Sequence, residues 1–125
     1  MFDDRSPIYQ QIADKIKDDI LRGALNADEQ VMSTNQYAVF YRINPATAAK
    51  GFQQLVEEGV LYKRRGIGMF VSPDAGERLR AQRRETFFAQ LVEPMLAEAD
   101  VVGIPRQDIV RYIENKVVSP GGAGD

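Results

Sequence analysis

Ser33-Thr34-Asn35-Gln36-Tyr37-Ala38-Val39-Phe40-Tyr41, the turn Arg42-Ile43, and Asn44-Pro45-Ala46-Thr47-Ala48-Ala49-Lys50-Gly51-Phe52 through to Gly59 form the stretch that decides the fold. Ser33 and Gln36 stand at capping-box spacing, so a short helix opens there. Tyr37, Ala38, Phe40 and Tyr41 are expected on its inner face. Asn44 has the chemistry of a helix cap, and Pro45 suits the first helical turn. Ala48, Phe52, Leu55 and Val56 then recur at the spacing of a buried helical face, and Gly59 ends it. Two short helices joined by a tight turn, the second sharply capped, make a helix-turn-helix pattern.

Downstream, Val60 to Lys63 and Met69 to Ser72 read as two strands, with Arg64-Arg65-Gly66-Ile67-Gly68 as their turn and Pro73 closing the unit. A β-hairpin directly after a helix-turn-helix is a wing. Upstream, Pro7 to Gly23 reads as a helix capped by Ser6, with Ile8, Ile12, Ile16 and Ile20 along one stripe. Residues 24–32 read as a polar connection. Beyond the wing, Glu77 to Ala99 has helical periodicity interrupted by Pro94, which is expected to bend or split it. Pro105 starts a last helix carrying Ile109, Val110, Ile113 and Val117. The fold class is α+β, mostly α. Residues 1–73 form a winged helix-turn-helix domain, 74–118 a two-helix dimerisation region, and 119–125 a Gly-rich flexible tail.

Composition narrows the function. The 125 residues contain neither cysteine nor histidine, which removes disulfides, thiolate metal sites and the commonest catalytic base. An enzyme is not expected, nor a cofactor or metal. No apolar run is long enough for a membrane span, and the acidic N-terminus does not resemble a signal peptide; the reading is a cytoplasmic protein. The net charge is −2, yet residues 33–71 carry Arg42, Lys50, Lys63, Arg64 and Arg65 against Glu57 and Glu58, a local excess of +3. Distribution matters more than the sum for binding phosphates.

Several clusters carry candidate chemistry. Asn44, Pro45, Ala46, Thr47 and Lys50 open the helix that such motifs place in the major groove, where short polar side chains meet base edges. Taken alone, an ordinary capped surface helix explains them as well. Ser33, Thr34 and Asn35 suit the sugar–phosphate backbone, or simple capping. Lys63, Arg64, Arg65, Gly66 and Gly68 suit a minor groove or its phosphates, or a solvated hairpin. Their order within about 40 residues favours DNA. Arg78, Arg80, Arg83 and Arg84 suit the DNA backbone where the chain leaves the wing, but read more simply as a solvated helix face. Phe87, Phe88, Leu91, Val92, Met95, Leu96, Ile109 and Ile113 exceed what two short helices can bury. A second copy of the chain covers them most economically. Packing on the chain's own winged domain, or an effector pocket, are the alternatives.

These motifs together resemble the GntR family of bacterial regulators. The resemblance runs from Pro7-Ile8-Tyr9-Gln10-Gln11-Ile12-Ala13 through Met32 to Ala38, Ile43 to Ala48, Leu55 to Gly59 and Arg65 to Val71. It implies a winged helix-turn-helix, a homodimer and a palindromic operator. Most family members carry arginine where Asn35 stands, Ser-Arg where Asn44-Pro45 stands, and often arginine at Lys50. Ser-Thr-Asn and Ile-Asn-Pro-Ala-Thr, with a short C-terminal region, are similar to the small YtrA-type branch. That branch implies dimerisation by the C-terminal helices, repression, and linkage to transporter operons. The function expected is a sequence-specific, DNA-binding transcriptional regulator, a repressor acting on double-stranded operator DNA as a homodimer. The alternative is a winged-helix protein–protein interaction module. These residues assign no small-molecule effector.

Overall fold

The structure is a computed structural model and describes residues 2–117. The expected tail, 119–125, and the last residue of the expected dimerisation region lie outside them. The elements run α1 (Ile8–Leu21), α2 (Thr34–Tyr41), α3 (Pro45–Glu57), β1 (Leu61–Arg64), β2 (Gly68–Val71), α4 (Ala75–Phe87), a π-helical turn (Phe88–Val92), α5 (Glu93–Val101) and α6 (Arg106–Asn115). The chain is mostly α, with one small antiparallel hairpin in which Leu61 pairs with Val71 and Arg64 with Gly68. It divides into two compact units between Arg83 and Arg84.

The first unit is the winged helix-turn-helix. Its core gathers Ile12, Ile16 and Ile20 of α1, Tyr37 of α2, Phe52 and Leu55 of α3, Leu61 and Val71 of the hairpin, and Ala75 and Leu79 of α4. Phe52, Ile12, Leu55, Leu61 and Val71 are its largest fully buried side chains. Each such burial contributes roughly 1.5–3 kcal/mol. Because Ala75 and Leu79 insert into this core, the unit extends past Pro73. Helices α1 and α3 cross closely at Gly51, where an added Cβ would lie 2.9 Å from the Tyr9 carbonyl oxygen.

Four local expectations are corrected. The α1 cap position is filled by Pro7, not Ser6, and no side chain caps it. A capping hydroxyl must belong to the residue preceding the helix, and proline has none. The Ser6 carbonyl instead accepts from Gln11 Nε2 at 2.8 Å. Phe40 is not on the inner face of α2 but 66% exposed. With only Tyr37 and Ala38 buried, and Tyr41 partly so, the register of this eight-residue helix turns Phe40 outward. Val117 falls beyond α6, which ends at Asn115. Finally, residues 24–32 are more than a connection. Gln30 bridges Phe70, Val31 N donates to Met69 O at 2.9 Å, and Val71 N donates to Glu29 O at 2.9 Å. The segment runs beside β2 as an incipient third strand.

The second unit holds α5 and α6. The expected interruption at Pro94 is the π-helical turn immediately before it. Proline lacks the amide that continues an α-helix and collides with the carbonyl four residues back; a widened turn accommodates both. Among the described residues of this unit, Ala99 alone is buried.

Candidate nucleic-acid interface

The start of α2 is fixed by a complete capping box. Gln36 N donates to Ser33 Oγ at 3.1 Å, and Ser33 N donates to Gln36 Oε1 at 3.0 Å. The Ser33 hydroxyl oxygen therefore has a local task, while Asn35 is exposed and Thr34 half-buried. Arg42 closes α2 in the left-handed conformation (φ 55°, ψ 52°), which reverses the chain within two residues and delivers it to α3.

At α3, Asn44 Oδ1 accepts from Ala46 N at 2.7 Å and from Thr47 N at 3.3 Å. Pro45, next in the chain, contributes no amide to satisfy. This geometry limits what Asn44 can read. Recognition of adenine by asparagine uses the amide oxygen and nitrogen together. Here the oxygen is held by the helix, which leaves Nδ2 as a donor. Pro45 and Ala46 are exposed and Thr47 half-buried. Lys50 is exposed, and its Nζ lies 4.1 Å from the centroid of the Tyr9 ring.

The wing tip turns at Arg65-Gly66-Ile67, with Gly66 at φ +75°. Gly68 follows at φ +149°, and a Cβ there would stand 2.6 Å from Gln30 Nε2. That nitrogen donates to Ile67 O at 3.1 Å, so Gln30 braces the tip from the α1–α2 segment. At the base, Tyr62 OH donates to Asp28 Oδ1 at 2.7 Å, which raises the phenol's pKa. The Tyr62 and Phe70 rings stack at 5.7 Å, and the Arg64 guanidinium lies 5.4 Å from the Phe70 centroid. Lys63, Arg64 and Arg65 remain exposed.

The structure brings two of the expected clusters together. Ser33 and Thr34 line one shallow groove with Lys63, Arg64, Gly66 and Gly68. The Asn44–Lys50 cluster opens α3 in the same unit but does not line that groove, and Lys50 is tied to α1 through Tyr9. Two contributors escaped the sequence reading: Gln30, in a segment read as a plain connection, and Tyr9, read as flanking the apolar stripe. Phe87, Phe88, Leu91, Met95 and Ile113 lie exposed in the second unit, with Val92, Leu96 and Ile109 half-buried. Of the four arginines read as a solvated face, Arg80, Arg83 and Arg84 are exposed. Arg78 is half-buried and donates to Glu58 O and Gly59 O at the end of α3.

Residues 8–71 match the model of the bacterial regulatory proteins of the gntR family. The chain belongs to the GntR family. This GntR chain is similar to the HTH-type transcriptional repressor YtrA of Bacillus subtilis, 26% identical over 109 residues, covering 87% of this chain and 83% of that protein. Among solved structures, a GntR family transcriptional regulator from Listeria monocytogenes superposes with a TM-score of 0.69 at 28% identity, covering 93% of this chain and 100% of that one. The AraR DNA-binding domain, solved in complex with operator ORX1, superposes with a TM-score of 0.54 at 26% identity over 58% of this chain and 93% of that one. The GntR chain is thus a DNA-binding transcription regulator of winged helix-turn-helix fold, and its relatives are regulators rather than enzymes.

Proposed function

We propose that this regulator is a cytoplasmic repressor that binds a palindromic operator as a homodimer. The winged unit, which takes in Ala75 and Leu79 and runs to Arg83, serves as the reading module, and the unit from Arg84 onward as the dimerising region. Asn44, Pro45, Ala46, Thr47 and Lys50 meet the major groove. Ser33, Thr34 and Asn35 meet the sugar–phosphate backbone. Arg64, Arg65, Gly66 and Gly68 approach the minor groove or its phosphates. One observation carries this reading: the start of α2 and the cationic, glycine-turned wing tip line one groove. Surfaces that contact a continuous phosphate backbone must share a face.

Exposed apolar side chains of the second unit support dimerisation. Phe88 is 67% and Leu91 60% exposed. Together with Phe87, Val92, Met95, Leu96, Ile109 and Ile113 they form the apolar surface that a second copy covers. Two reading heads then enter successive major grooves about 34 Å apart. Similarity to the YtrA repressor favours repression over activation.

Footprinting on DNA upstream of the protein's own gene tests this. Two protected half-sites one helical turn apart are expected, with affinity falling steeply as salt rises. A single protected half-site bound by a monomer would refute the dimer. Unchanged binding by a Lys50→Ala, Arg65→Ala double variant would refute the assigned face.

A further inference from the structure

Lys50 and Tyr9 come from different helices, yet Nζ sits 4.1 Å from the ring centroid, close enough for a cation–π contact. The contact depends on how α1 and α3 cross. Gly51 follows Lys50 and is buried, and its absent side chain is what lets the helices approach. A Cβ would meet Tyr9 O at 2.9 Å, Ile12 Cγ2 at 3.1 Å and Ile12 Cβ at 3.2 Å. The residue that seats Tyr9 is therefore the immediate neighbour of the lysine that Tyr9 holds. A lysine carries a compact charge on a flexible four-carbon stem, and ordering that stem opposes binding. A stem already held over a ring has surrendered part of that freedom before any ligand arrives.

We infer that Tyr9 is a positioning residue for DNA recognition: its ring, seated beneath α3 by the close crossing at Gly51, presents the Lys50 ammonium to the operator. This rests on the reading of Lys50 as a DNA contact. The ring supplies the pre-organisation that the forked guanidinium of an arginine would carry in itself.

A double-mutant cycle on operator binding tests it, with Tyr9→Leu and Tyr9→Phe each made in the native chain and in Lys50→Ala. Tyr9→Phe keeps the ring and should bind like the native protein. Tyr9→Leu should weaken binding about two- to five-fold per subunit, the scale of an exposed cation–π contact. In the Lys50→Ala background, Tyr9→Leu should add nothing. Equal loss with and without Lys50 would overturn the inference, since Tyr9 would then act through packing or its own DNA contact. If Lys50→Ala binds as tightly as the native protein, the underlying assignment of Lys50 fails, and the inference with it. A readout independent of DNA is the proton spectrum of the free protein. The Lys50 ε-methylene should show a ring-current shift that Tyr9→Phe retains and Tyr9→Leu loses; its absence from the native protein would also overturn the inference. Thermal unfolding of each variant separates loss of folding from loss of positioning.

Discussion

Asn44→Ala removes the oxygen that accepts from Ala46 N at 2.7 Å and Thr47 N at 3.3 Å. Loss of such a cap costs about 1 kcal/mol. For a unit of this size, that lowers Tm by roughly 4–8 °C. Asn44→Asp makes the complementary change: it keeps a capping oxygen and adds negative charge where the helix dipole favours it, so stability should hold or rise slightly. It also removes the Nδ2 donor and sets a carboxylate against DNA. At about 5 Å from a phosphate, repulsion amounts to about 1 kcal/mol in a water-like dielectric and about 3 kcal/mol near a protein surface. Binding should weaken roughly 5- to 150-fold per subunit. Calorimetry reads the first quantity and fluorescence anisotropy on operator DNA the second. Asn44→Ala should thus be less stable, and Asn44→Asp stable but weak on DNA. An Asn44→Asp protein as destabilised as Asn44→Ala would refute the cap argument, and one that binds DNA normally would refute the placement of this helix start.

Three further expectations follow from other parts of the molecule. Gly68→Ala places a Cβ 2.6 Å from Gln30 Nε2 at φ +149°; strain of about 1–3 kcal/mol is expected, with weakened operator binding, and Gln30→Ala in the same chain should recover part of the stability on thermal unfolding. Phe88→Asp with Leu91→Asp should leave the winged unit folded but yield monomers by light scattering and lose cooperative occupancy of two half-sites. Burial raises the Tyr37 phenol well above its ordinary range; the folded state therefore holds that proton more tightly, and the associated stability, complete below about pH 10, is lost as pH rises toward the folded value. Ultraviolet titration should find one tyrosine ionising only as the protein unfolds in alkali.

Much of this architecture was legible because each signal was local. Ser33 with Gln36, and Asn44 with Pro45, specify helix starts through atoms three or fewer residues apart, and these boundaries hold to within a residue. The hairpin was marked by the two glycines flanking Ile67, both of which adopt positive φ. The misses depend on long-range pairing. Gln30 reaches Ile67 across 37 positions, and Asp28 reaches Tyr62 across 34. A single bridging residue leaves no alternating pattern to recognise. Phe40 misled for a different reason. Aromatic content suggested burial, but the register of a two-turn helix is set by which residues meet α3, and Tyr37, 5.3 Å from Phe52 ring to ring, takes that place. Tyr9 was read only as flanking the stripe, because its partner lies on a helix more than 40 residues away.

The acidic balance of the chain needs a physical answer, since a net charge of −2 would repel DNA if it were spread evenly. Several of the acids are matched by cations that are not assigned to DNA. Glu58 pairs with Lys17 at 2.7 Å, Asp19 with Lys15 at 3.3 Å, and Asp18 with Arg22 at 2.6 Å. The hydrogen bond from Arg22 holds the Asp18 carboxyl below its ordinary value, so it stays ionised and matched. Glu57 ends α3, twelve residues beyond Pro45, or about 18 Å at 1.5 Å per residue. The screening length at physiological salt is about 8 Å. Across that distance an exposed carboxylate scarcely alters the potential at Asn44, whereas the exposed Arg65 at the wing tip is proposed to meet a phosphate directly. Arg65→Ala should therefore lower the slope of log affinity against log salt by about one per subunit. Glu57→Gln should leave both slope and affinity within about two-fold at physiological salt. Equal effects from the two substitutions would mean that operator binding answers to the protein's overall charge rather than to the face built by α2, α3 and the wing.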